Sequence, residues 1–275
     1  MRPAPLAEAA VELGVAPVLV VGAIVASLTV ASWAVGRLRR GGAVIPWRPH
    51  SPVAWTGADV AFVAGLHLLF AILAMEVVRA ESPSSDSLLA ATAAGLAATG
   101  LGMAFLRSRG ASAAALGFPR VTPADVGLAI GALAGVLAPL LMLAGWLDRL
   151  VPYSHPVIDL LANDPTPKTR LAVVLSAVIA APLAEEFFFR RVLQGWLERW
   201  VPGGGAVPLA AAVFALMHWG QGLAWVPLFV LGLVLGEIVR RTGSLVPAIL
   251  LHALFNAVSV TLLLSGVVPG PTPAG

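Results

Sequence analysis

Eight long apolar runs, at 13–35, 58–78, 88–106, 126–147, 171–193, 206–219, 223–238 and 245–264, are separated by clusters of Pro, Gly and charge. A transmembrane helix needs about 20 mostly apolar residues, so the chain reads as an all-α, polytopic integral membrane protein with about eight spans. The sixth and seventh runs are short enough to be tilted or re-entrant. Charge supports the same conclusion: 17 Lys and Arg with 14 Asp and Glu make 11% of the chain, against about 25% in a soluble domain. That is too little to solvate a surface. The absence of cysteine excludes a disulfide-stapled module, and the apolar content excludes disorder. The net charge of +3 is spread along the chain without a dense patch, so the expected partner is the lipid bilayer and no nucleic acid.

Orientation follows from the basic residues, because short Lys- and Arg-rich loops stay cytoplasmic. The first run is too long for a signal-peptide core and is followed by Arg37, Arg39 and Arg40, so it reads as a retained anchor with its N-terminus outside. Eight crossings from there put 12 basic residues inside: Arg37, Arg39, Arg40, Arg48, Arg107, Arg109, Arg120, Arg190, Arg191, Arg199, Arg240 and Arg241. Five fall outside: Arg2, Arg79, Arg149, Lys168 and Arg170. Both termini are therefore expected outside, and the Ala- and Gly-rich character suggests a bacterial cytoplasmic membrane. The chain reads as one membrane domain, 1–275, with an N-terminal four-helix part at 13–147 and a polar-motif core at 171–264. Linkers are expected at 107–123 and 148–170, the second with a short amphipathic helix around 157–161 on the outer interface. Gly127, Gly131 and Gly135 form a small-residue stripe suited to close helix packing.

Ionisable groups at membrane depth are costly, so each is a functional candidate. The fifth run carries Glu185, Glu186 and Arg190, the sixth His218, and the eighth His252 and Asn256. At 100° per residue, Glu186 and Arg190 share a helix face and can pair. Glu185 diverges from Arg190 by about 140° and needs a partner from another helix. His252 and Asn256, four apart, offer hydrogen-bond donors to one point, as a developing oxyanion requires. Counted from the expected cytoplasmic helix ends, Glu185, His218 and Asn256 lie about 22, 18 and 17 Å deep, within one helical turn of each other. Glu237 and Arg241 are expected to pair near a helix end, and His67 reads as a packed core imidazole. Glu76 lies near Arg79 at the outer interface, and His50 and His155 fall in loops.

Together these residues form three boxes: Glu185-Glu186-x-x-x-Arg190, Phe214-x-x-x-His218 and His252-x-x-x-Asn256. In this order, inside apolar helices, they resemble the EExxxR, FxxxH and HxxxN boxes of the CPBP family of intramembrane proteases, which includes the type II CAAX prenyl endopeptidases and Abi-type proteins. The approach from Arg240 through Gly243 to His252 is similar to that family's as well. The resemblance implies a glutamic endopeptidase that cleaves a membrane-associated protein or peptide without metal or other cofactor. By residue it implies Glu185 as the base activating water, His218 as its partner, His252 with Asn256 as the oxyanion site, and Glu186 with Arg190 in support. Two alternatives stay open on the residues alone. Glu185, His218 and His252 could form a His2Glu metalloprotease site, or the chain could be a non-proteolytic transporter or scaffold. A repeat-built transporter is disfavoured because no internal repeat is visible.

Overall fold

The computed structural model describes residues 6–81, 84–153 and 156–265, and among them the structure is helical without strands. Nine helices follow in order: α1 (Leu6–Arg39), α2 (Gly57–Glu81), α3 (Ser85–Ser108), α4 (Pro123–Leu150), α5 (Pro156–Asn163), α6 (Pro167–Leu197), α7 (Ala206–Leu216), α8 (Trp225–Thr242) and α9 (Val246–Leu264). Each apolar run coincides with a helix over most of its length. Among the described residues, six helices have the length and apolarity to cross a membrane: α1, α2, α3, α4, α6 and α9. The sixth and seventh runs form the shorter hairpin α7–α8, in which α7 has 11 residues and spans about 16 Å. α8 has 18 residues and carries Glu237, Arg240 and Arg241 in its last turns. The protein is thus an integral membrane protein whose outward faces, such as Val18, Leu19, Leu69, Leu101 and Ile130, are exposed hydrocarbon.

The interior is built where α2, α3, α6, α8 and α9 meet, around Val63, Leu106, Phe187, Val192, Leu235, Ile238 and Leu251. α7 and α8 approach closely because Gly232 faces Ala211, where an added Cβ would lie 3.1 Å from the alanine methyl. Of the glycine stripe on α4, only Gly135 is in close contact, against Val30 of α1; Gly127 and Gly131 face open space. α1 packs along α4, and there Ser27 Oγ donates to the Ala134 carbonyl at 2.7 Å. α5 forms as expected, with Leu160 and Leu161 buried beneath it.

α6 departs from the expected regular helix. Residues Val174–Ala180 and Glu186–Gln194 are wound as π-helix, flanking a short α-helical stretch Ala181–Glu185. The reason lies at Pro182, which has no N–H and whose ring would strike the Val178 carbonyl in an unbroken α-helix. The wider preceding turn relieves that collision. It also orphans a carbonyl: in i→i+5 winding Ala177 would accept from position 182, and Pro182 cannot donate.

The basic loops gather at one end. Arg48 N–H donates to the Arg241 carbonyl at 2.8 Å, and the Arg48 guanidinium meets Asp125 at 2.5 Å. Arg109 pairs with Asp59 at 3.3 Å, and Arg199 donates to the Trp55 carbonyl at 2.6 Å. Arg190 and Arg191 leave the expected tally of 12 because both are buried inside α6 rather than in a loop, so 10 remain. Arg2 and His155 lie outside the described residues, as does the side chain of Arg79.

This end is expected to face the cytoplasm. Because the chain has no cysteine, single Arg40→Cys, Ser108→Cys and Pro202→Cys variants should resist a membrane-impermeant maleimide in intact cells, while Asp86→Cys should react. Reaction of the first three with Asp86→Cys protected would invert the topology.

Candidate active site

α6 and α9 cross so that His252 lies between the two adjacent carboxylates of α6. His252 Nδ1 is 2.9 Å from Glu186 Oε1, and its Nε2 is 3.8 Å from Glu185 Oε2. Glu186 also meets Arg190 Nε at 3.2 Å, and both side chains are fully shielded from solvent. The expected Glu186–Arg190 pair is therefore present, but it is one half of a longer chain running Arg190, Glu186, His252, Glu185. Glu185, expected to need a partner from another helix, meets His252 of α9.

Because a carboxylate only accepts, Nδ1 of His252 carries a hydrogen and donates it to Glu186. Glu186 thus fixes the orientation of the ring, as a carboxylate does for a histidine in a catalytic triad. The Arg190 guanidinium lies over the Phe214 ring, 4.6 Å from its centre, a cation–π contact strengthened by burial. The same ring meets His218 at 5.1 Å and His252 at 6.1 Å, both edge to face. Phe214 was quoted in the sequence only as part of a box. It is the aromatic hub that holds the guanidinium and two imidazoles, a role that could have been suspected from its spacing of four from His218.

α7 ends at Leu216, sooner than the apolar run, and His218 lies in the turn that follows. Its Nδ1 donates to the Phe214 carbonyl at 3.0 Å, which leaves Nε2 as an acceptor in the neutral ring. Segment 217–224 continues without regular helix through Gly220 and Gly222, both at positive φ. Irregular backbone at membrane depth is tolerated only where it is buried in protein or borders water. This segment does border a cavity. Glu185 and His218 both line a space of about 1290 Å³ walled by α2, α3, α6 and α7.

His252 and Asn256 engage different partners on α6: His252 meets the two glutamates and Asn256 meets the backbone. Asn256 Nδ2 donates to the Ala177 carbonyl at 2.8 Å, the acceptor left without a backbone partner by Pro182. One amide hydrogen is thereby committed to α6, and the second remains for other use. Among the described residues, no three His, Cys, Asp or Glu side chains converge as a metal-ligand set. His67 was read as a packed core ring, yet it lines the same cavity as Glu185 and His218. Glu237 accepts from Arg241 at 2.5 Å as expected and from Arg240 at 2.7 Å, at the basic end and away from the cavity.

Residues 167–258 match the Rce1-like family, type II CAAX prenyl endopeptidase Rce1-like. This is the family that the three boxes resemble. The matched segment covers about a third of the chain, from the start of α6 into the last third of α9. It contains Glu185, Glu186, Arg190, His218, His252 and Asn256, whereas α1 to α4 lie outside it. No curated protein and no solved structure is significantly similar to the chain.

Removing one member of a buried ion pair strands the other and typically costs about 3 to 5 kcal/mol. Glu186→Gln leaves Arg190 without its carboxylate at a site fully closed to solvent, so the detergent-solubilised variant should melt well below the parent and below Glu185→Gln. A Glu186→Gln protein as stable as the parent would show that the pair carries no structural weight.

Proposed function

We propose that this protein is an intramembrane endopeptidase that hydrolyses a peptide bond of a membrane-associated protein or peptide with water activated by Glu185. One observation carries the proposal: the Glu185 carboxylate and the His218 ring line a single cavity at membrane depth, bordered by backbone that requires water or protein around it. The match of residues 167–258 to the Rce1-like family supports peptidase chemistry, and the family's description makes a prenylated peptide the first substrate to try.

In this mechanism a water held between Glu185 and Nε2 of His218 gives a proton to the carboxylate as its oxygen bonds to the scissile carbonyl carbon. The carbonyl π pair moves onto oxygen and forms a tetrahedral oxyanion. Donors aimed at that oxygen stabilise it most when water is otherwise excluded. The second amide hydrogen of Asn256 and Nε2 of His252 are assigned this role. With Nδ1–H given to Glu186, the His252 ring can donate from Nε2 only as an imidazolium. Collapse of the intermediate breaks the C–N bond, and the proton held by Glu185 passes to the leaving nitrogen. The products are a carboxylic acid and an amine, with one water consumed and no acyl-enzyme formed. His218 orients the water and shares its proton.

By the same reading the protein sits in a cytoplasmic membrane, with both termini outside. The first test compares membranes from cells with the parent protein, with Glu185→Gln and with neither, looking for a protein shortened only by the parent. A farnesylated peptide ending Cys-aliphatic-aliphatic-X and its unprenylated twin, each carrying a fluorophore and quencher, provide the purified assay. Loss of a general base costs about 10²- to 10⁴-fold, so Glu185→Gln should cleave at least about 100-fold more slowly while remaining folded and inserted. A variant retaining half the parent's rate would remove Glu185 from the chemistry. Activity should also survive exhaustive treatment with a chelator; loss of activity restored by added zinc would instead favour a His2Glu metal site.

A further inference from the structure

The cavity beside Glu185 has a far wall formed by α2 and α3, outside the segment that matches a known family. That wall is nearly all hydrocarbon and small residues: Ala61, Ala64, Gly65, Ala71, Ala91 and Gly95 among them. Of the described side chains lining the cavity, only His67, Glu185, His218 and Gln221 carry a nitrogen or oxygen. An extended peptide inside such a space brings backbone N–H and C=O groups away from bulk water, and each one left unpaired is costly. Glu185 and His218 are occupied by the attacking water. His67 and Gln221 are what the walls offer to the peptide itself.

The state of the His67 ring follows from its neighbours. Its Nδ1 is 2.9 Å from the Val63 carbonyl, which can only accept, so Nδ1 carries the hydrogen and the neutral ring has a bare Nε2. Nε2 has Thr99 Oγ1 at 3.4 Å, whose single hydrogen goes to the closer Gly95 carbonyl at 2.9 Å. Nε2 is therefore an acceptor with no strong donor. The ring is held in place by Phe188, at 5.3 Å between ring centres, and Phe188 is three residues beyond Glu185 on α6. A helix outside the matched segment thus presents a fixed acceptor whose ring packs against the same stretch of α6 that carries the base.

We propose that His67 is a substrate-binding residue: its Nε2 accepts a hydrogen bond from a backbone N–H of the peptide in the cavity and sets the register of the scissile bond against Glu185. This inference rests on the endopeptidase reading above. A hydrogen bond made equally in the bound substrate and in the transition state changes KM and leaves kcat alone.

The test uses the full-length protein in detergent or liposomes with the two quenched peptides described above. His67→Phe keeps ring volume and the contact with Phe188 but loses the acceptor, and His67→Gln restores an acceptor near the position of Nε2. His67→Phe should raise KM about 3- to 10-fold, the effect of one neutral hydrogen bond, with kcat and melting temperature unchanged. His67→Gln should return KM to near the parent value. Binding of the same peptides to the Glu185→Gln protein, followed by fluorescence anisotropy, should weaken by the same factor when His67→Phe is added, which separates binding from turnover. Unchanged KM in His67→Phe overturns the inference while leaving the endopeptidase intact. An equal loss in Thr99→Val together with a lower melting temperature also overturns it, because His67 would then be only a packing partner of Thr99. A parent protein that cleaves neither peptide and binds neither in the Glu185→Gln form overturns both readings.

Discussion

A buried guanidinium with one carboxylate partner organises the centre of this molecule. Arg190 is 1% exposed, and an isolated charge at that depth would be untenable. Glu186 neutralises it along α6, and Phe214 covers its face from α7. Glu186 then uses its other oxygen to hold His252 of α9. Three helices are tied by four side chains, and His252 Nε2 is left facing Glu185. The stability of the centre and the orientation of the imidazole rest on the same carboxylate. Substitutions at Glu186 consequently act on both, whereas those at Glu185 remove a carboxylate that is not needed to neutralise Arg190.

The π-helical winding of α6 resumes at the second of two adjacent glutamates that meet one ring. In a regular α-helix, neighbours diverge by 100° and would address different helices. Widened turns lessen this divergence, and π-helical segments recur at functional sites. Pro182 forces the first widening, and Asn256 meets the carbonyl it orphans. The asparagine of the third box therefore fastens α9 to α6 through one hydrogen and retains a second.

The helical runs were legible because an apolar stretch of about 20 residues has few other uses. The membrane architecture and the Glu186–Arg190 pair followed directly from composition and i,i+4 spacing. Less was legible at the site. The angular argument directed Glu185 to another helix, where His252 meets it, but no local pattern except Pro182 signals π winding. α7 stops two residues before His218 because Gly220 and Gly222 favour a turn, a boundary that an apolar run conceals. His67 looked like a lone core histidine because its relation to Glu185 exists only in three dimensions: the two residues are separated by more than a hundred positions along the chain. The gathering of Arg48, Arg109, Arg199 and Arg241 at one end matched the charge tally, whereas Arg190 and Arg191 had been counted as loop residues and belong to the core.

The central claim is that the carboxylate at 185 faces water within the thickness of the membrane. Single-cysteine chemistry in liposomes tests it directly, since the native chain supplies no competing thiol. A Glu185→Cys protein should react with a small, permanently charged methanethiosulfonate, whereas Leu101→Cys on the lipid-facing side of α3 should not. A Glu185→Cys thiol as inert as that at position 101 would mean that the cavity holds no water, and an endopeptidase that activates water there would be contradicted.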